Sequence, residues 1–190
     1  SPKYSAEMEN DSLVKLQYLD IIREMRNIPE IECFAVAYGR AYANSGSFSG
    51  GELFADTALS KRTHLQFYHF VPVEGSDILK TYRLKDVNSG VTMTIAPDFA
   101  SRNLRYLSEN SAKMLYGRTD VVGEKCYNYK KEVQEIAGVF KDFKDRDYNQ
   151  PYPTIFSSAD FCKEIEGNFF MHLAYTFTFR VKDDVNQATF

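Results

Sequence analysis

Tryptophan is absent from this 190-residue chain, and cysteine occurs only three times, as Cys33, Cys126 and Cys162. No two cysteines are close in sequence, which excludes a C-x-x-C redox pair and a zinc knuckle. Three buried thiols are the reading taken here, with a Cys126–Cys162 disulfide left open. No stretch reaches the about 18 consecutive apolar residues that read as a membrane-spanning helix. A basic excess is also missing. Lys and Arg number 23 against 26 Asp and Glu, for a net charge of -3 and a pI of about 5.7. Nucleic-acid binding leaves a Lys/Arg footprint, because phosphates need cationic partners, so the balance argues against that class. The start, Ser1-Pro2-Lys3-Tyr4, has neither an initiator methionine nor a secretion signal, and the chain is expected to be a mature or excised piece.

What is present suits a folded domain. Hydrophobic residues make up 44% of the chain and charged residues 26%, so disorder is not the expected state. The 13 Tyr and 15 Phe suit a β-rich core, since rings pack well on pleated surfaces. Val14, Tyr18, Ile21, Ile22 and Met25 recur at helical spacing and predict a helix over residues 10–27, closed by Pro29. Strands are predicted over 31–42, 63–74, 91–95, 102–107, 125–129, 133–140, 152–156 and 172–182, with a Gly/Ser-rich loop over 43–52. A short helix is expected over 76–84, capped by Ser76 or Asp77. Another follows Ser108 as N-cap and stops at Gly117, the left-handed position that ends helices. Helices and strands do not alternate regularly, which makes the class α+β and disfavours a doubly wound parallel sheet.

Chemistry is hard to find. His64 and His69 are five residues apart, on opposite faces of a strand, and His172 is remote, so the histidines read as strand residues. The string Gly46-Ser47-Phe48-Ser49-Gly50 puts a phenylalanine where a nucleophile elbow needs serine. Asp145, Asp147 and Asn149 fit positions 1, 3 and 5 of an EF-hand, but Gln150 and Phe156 stand where glycine and glutamate are required. Asp142 and its neighbours therefore read as part of a charged connector over 141–150, with Lys141, Lys144 and Arg146 opposing a cation. Glu164 and Glu166 share a face only in a strand, with no candidate cleft beside them. No nucleophile, base and orienting group recur as a set.

Several strings stand in an order that resembles a known family. Asn27-Ile28-Pro29-Glu30-Ile31-Glu32 follows the first helix, with Glu30 where that family usually has glycine. Then come Ser108-Glu109-Asn110-Ser111-Ala112-Lys113-Met114-Leu115-Tyr116-Gly117 and Val121-Val122-Gly123-Glu124-Lys125. Ile136-Ala137-Gly138-Val139-Phe140-Lys141-Asp142-Phe143 is next, then Pro151-Tyr152-Pro153-Thr154-Ile155, and last Phe179-Arg180-Val181-Lys182. In this order they resemble the periplasmic core domain of MacB/FtsX-type ABC transporter permeases, over residues 13–182. The stretch 43–100 departs most, since the family's Leu-x-x-Gly-Arg is reduced here to Leu84 through Gly90.

The resemblance implies a porter-like α/β-sandwich subdomain from residues 1–60 and 168–190, with a mixed α+β lobe inserted over 61–167. The motif positions it singles out as structural are Pro29, Ser108, Glu109, Gly117, Gly123, Gly138, Val139, Asp142 and Pro153. It implies a non-catalytic extracytoplasmic domain at a bacterial inner membrane, without catalytic, cofactor or metal residues. ATP would be used by a separate cytoplasmic ATPase, reached through membrane helices. A second permease subunit and a periplasmic protein or export substrate are the other implied partners. The rival reading is a ligand-sensing ectodomain of a membrane receptor or sensor kinase.

Overall fold

The computed structural model describes residues 11–38, 49–70, 74–99, 101–143, 154–158 and 175–184. Helix α1, Asp11–Asn27, forms where the apolar stripe predicts it and ends just before Pro29. Ile22 and Met25 are buried on it, whereas Ile21 is 45% exposed, so the stripe is narrower than its five apolar residues suggest. Pro29 lies in the turn that follows, where the Ile31 N–H donates to the Ile28 carbonyl (3.1 Å). Glu30 takes no left-handed backbone there, so the usual glycine is not needed.

Among the described residues, eight strands make one sheet: β1 Ile31–Tyr38, β2 Ser49–Leu53, β3 Thr63–Phe70, β4 Leu104–Ser108, β5 Lys125–Tyr127, β6 Val133–Phe140, β7 Thr154–Ser158 and β8 Tyr175–Val181. Their order is β5-β6-β4-β7-β3-β1-β8, with β2 beside β3. The β3–β7 and β4–β6 pairs are parallel and the rest antiparallel. Beyond the end of β2, Phe54 and Tyr127 exchange two backbone hydrogen bonds of 2.9 Å. That bridge joins the β2 end of the curled run β2-β3-β7-β4-β6-β5 to its β5 edge.

The sheet is covered on both sides. Helix α3, Glu109–Tyr116, lays Ala112 and Leu115 against Leu53, Leu65, Leu107 and Ile155. On the other side, helix α2, Ile78–Thr81, and the chain after it cover Leu104, Tyr106, Phe140 and Phe156. Every residue of β4 is buried as a result. Strands covered on both faces lose the alternation that marks a half-solvated strand.

Two sequence expectations change. The Gly/Ser loop ends early, because Ser49–Leu53 pairs with β3 from Ser49↔Phe67 to Leu53↔Thr63. Residues 91–95 do not form a strand. They make a single bridge, Lys85↔Thr92, after a turn in which the Asp86 carboxylate accepts from the Asn88 and Ser89 N–H groups and Gly90 takes φ +69°. Asp86 is held below the usual carboxylate range first by the Ser89 backbone bond.

Candidate functional site

Seven of the nine motif positions belong to one unit, β4–α3–β5–β6. Ser108 leaves β4 in extended geometry, and its hydroxyl accepts the Ser111 N–H at 3.2 Å, which caps α3. Asp142 comes from beyond the end of β6 to accept the Asn110 N–H at 3.0 Å. Two of the free first-turn donors are thus satisfied from opposite directions in sequence. Glu109 adds negative charge at the same helix end and pairs with Lys113 (2.6 Å). Gly117 closes α3 at φ +76°, with its N–H on the Lys113 carbonyl. Gly123 turns the chain toward β5 and donates to Ile136 O at 2.8 Å. Val139 is buried against the α3 side of the sheet. Gly138 faces the opposite side, where a Cβ would overlap Met93 Cε and stand 3.0 Å from the Tyr106 ring. The β4–β6 register also shifts beside it, so the position combines a bulge with close packing. Pro29 is elsewhere, behind α1, and Pro153 is outside the described residues.

The charged connector needs correction at its start. Asp142 is committed to α3, and Phe143 is anchored in an aromatic cluster. Its ring stacks on Tyr82 and Phe156, each at 6.4 Å, and lies 5.9 Å from Phe140. Residues 144–150 lie outside the described residues, as do the side chain of His69, all of His172, Glu164 and Glu166. His64 is a surface residue, 3.7 Å from Glu52. Among the described residues no three His, Cys, Asp or Glu side chains are grouped to hold a metal. No described helix is long and apolar enough to cross a membrane.

One polar cluster was not visible in the sequence. Arg105 of β4 is 7% exposed, beneath the curled sheet. Its Nη1 donates to the Leu104 carbonyl (2.7 Å), while its buried Nε has no acceptor. Desolvation pushes its pKa down to about 10. Cys126 acts on it electrostatically, and burial pushes that thiol up to about 12 despite the cation. Cys33 and Cys126 are both buried and free, and Cys162 lies outside the described residues. A buried guanidinium that has no carboxylate partner among the described residues and leaves Nε without an acceptor opposes folding, because lost hydration is only partly replaced. Arg105→Met should therefore stabilise the chain by about 1–3 kcal/mol, read from urea unfolding at pH 7. The folded pKa is depressed, so the penalty is full below about 10 and fades as pH rises toward the unfolded value. The stability difference between variant and parent should narrow over that range. An unchanged or lowered stability at pH 7 would contradict the assignment.

No family model matches the sequence, and no curated protein does. Solved structures do match in fold. The extracellular domain of the noncanonical ABC-type transporter YknZ from Gram-positive bacteria superposes with a TM-score of 0.51 at 11% identity, over 86% of this chain and 72% of that one. A domain from Porphyromonas gingivalis assigned to a permease protein gives 0.54 at 15% identity, over 85% of this chain and 61% of that one. The periplasmic region of MacB from Actinobacillus actinomycetemcomitans gives 0.49 at 15% identity, over 86% and 81%. The first two carry the comparison, and at these identities it concerns fold alone. The chain is α+β, and it has the fold of the external domains of ABC-type transporter permeases.

Proposed function

We propose that this chain is the extracytoplasmic domain of an ABC transporter permease, and that it passes ATP-driven motion to a periplasmic partner or export substrate without performing chemistry itself. The observation that carries this reading is the agreement of two independent signals. The ordered motifs from Pro29 to Lys182 resemble the MacB/FtsX permeases, and the fold is shared with the extracellular domain of the transporter YknZ and with a domain assigned to a permease protein. In this reading the strands near the chain ends, β1 and β8, with α1 make the porter-like part, and the middle makes the lobe. ATP is bound by a cytoplasmic ATPase that meets the permease through membrane helices, and a second permease subunit completes the transporter. The domain works by differential affinity for its partner in two poses. A sensor ectodomain is not favoured by these neighbours.

The test is biochemical. The full-length gene product, tagged and extracted from membranes, should co-purify with an ABC ATPase whose hydrolysis depends on the permease. Its reading frame should carry one membrane helix before this domain and three after it. A frame ending in a kinase or signalling module, or a product that recruits no ATPase, would overturn the proposal.

A further inference from the structure

We propose that the chain bends at the seam between β1 and β3, and that residues 76–83 form the latch that holds this seam closed. As a step in transmission this rests on the function proposed above; as a structural device it stands on the geometry alone. β1 and β8 are registered along their length, from Ile31↔Val181 to Tyr38↔Tyr175. β1 meets β3 only at Ala37↔Phe70 and Tyr38↔His69 among the described residues. The remaining edge of β1 is taken by the latch segment. Phe34 bridges Ser76, the Asp77 N–H donates to Phe34 O (2.9 Å), and the Val36 N–H to Ser76 Oγ (3.3 Å). Among the described residues, the paired strands β1 and β8 are therefore joined to the lobe through two backbone pairs and one docked turn.

That turn faces both bodies. Ile78 and Leu79 are fully buried in the same cluster as Leu104, Phe140 and Phe156 of the lobe. Toward β8, Arg180 places Nε and Nη2 on the Thr81 carbonyl at 3.0 and 2.8 Å. Thr178 Oγ1 meets the Tyr82 hydroxyl at 3.2 Å. Arg83 holds a left-handed backbone (φ +51°), a conformation glycine takes without cost, and its guanidinium reaches Asp183 at 3.1 Å and Glu32 at 3.5 Å. Magnitudes rank these ties. The Arg83 pairs are exposed and screened, so they contribute little. The Arg180 fork is charge-assisted, half-buried and satisfies the end of a helix, so it is the main tie. Thr178 and Arg180, on the polar side of β8, are thus the residues that engage the latch.

The experiment uses spin labels on Val122→Cys in the lobe and Asp184→Cys beyond β8, with Cys162→Ser; Cys33 and Cys126 are buried and stay unlabelled. The intact chain should give one narrow distance distribution. Arg180→Met with Tyr82→Phe should add a second population. Hydrogen exchange at Ala37, Tyr38, His69 and Phe70 should rise about tenfold, with β4 and β6 unchanged. Should that variant not fold, Tyr82→Phe with Asp183→Asn removes only surface and half-buried bonds and should show the same change at smaller amplitude. A single unchanged distribution in a folded variant overturns the latch. So does a broad distribution in the intact chain, or a uniform rise in exchange across the sheet. None of these outcomes depends on whether an ATPase binds.

Discussion

Phe140→Ala is expected to destabilise the chain by about 3–5 kcal/mol. Phe140 closes β6 and is fully buried. Its ring centroid lies 5.3 Å from Phe156 and 5.9 Å from Phe143, in tilted geometry that favours the ring quadrupoles. Truncation removes a fully buried ring at the meeting of β6, β7 and the turn after α2. The rings around it are held from several directions and cannot collapse into the gap. Phe143 stacks on Tyr82 and Phe156, and Tyr82 is tied to Thr178. The loss is a large share of the 5–15 kcal/mol that is typical of a whole domain. Phe140→Leu keeps most of the volume and should cost only about 1 kcal/mol. Urea unfolding of both variants, with m unchanged, checks the contrast. Equal costs would show that the volume leucine retains is irrelevant there, and would contradict the cavity as the source of the loss.

Gly138→Val should cost about 3 kcal/mol. The position needs glycine for space and not for a left-handed backbone, since its φ lies outside that region. A Cβ would overlap the Met93 Cε and approach the Tyr106 ring to 3.0 and 3.1 Å. The two neighbours differ in freedom. Met93 ends in a flexible thioether that can swing away. Tyr106 cannot retreat, because its hydroxyl accepts the Ala96 N–H at 2.8 Å and its ring packs 5.6 Å from Phe99. Gly138→Ala should therefore cost only about 1 kcal/mol, and Met93→Ala in that background should recover part of it. Valine's second methyl has no such relief. A double-mutant cycle read by thermal unfolding tests this, and additive costs for Gly138→Ala and Met93→Ala would contradict the described contact.

The parts that were legible in the sequence are those whose signals are local. Ser108 and Gly117 bracket α3 because capping is settled within one turn of chain, and both positions form as read. The first helix, β1, β6 and β8 likewise follow from period and propensity. The remainder depends on partners far away in sequence. β2 contains Gly50 and Gly51 and has no propensity to be a strand; it is one because β3 pairs with it. Residues 91–95 look like a strand, but their role is to lay Met93 and Ile95 across the core. The turn before them did carry a readable signal, Asp86 followed by Asn88, Ser89 and Gly90, each suited to a turn for its own reason. Asp142 reads as a stray acid until α3 is seen to need a donor's partner 32 residues back. Arg105 was invisible as a buried cation, because β4 is covered on both faces and its pattern no longer alternates.

In the function proposed above, this domain transmits motion driven by ATP elsewhere. The most direct measurement labels the same two positions, Val122→Cys and Asp184→Cys, in the full-length permease reconstituted with its ATPase. Distances are then compared without nucleotide and after ATP turnover in vanadate, which locks the ADP product in the ATPase. A shifted distribution is expected in the trapped state, abolished when the ATPase cannot hydrolyse or bind ATP. Identical distributions in every nucleotide state, for this pair and for pairs between the two permease subunits, would contradict it.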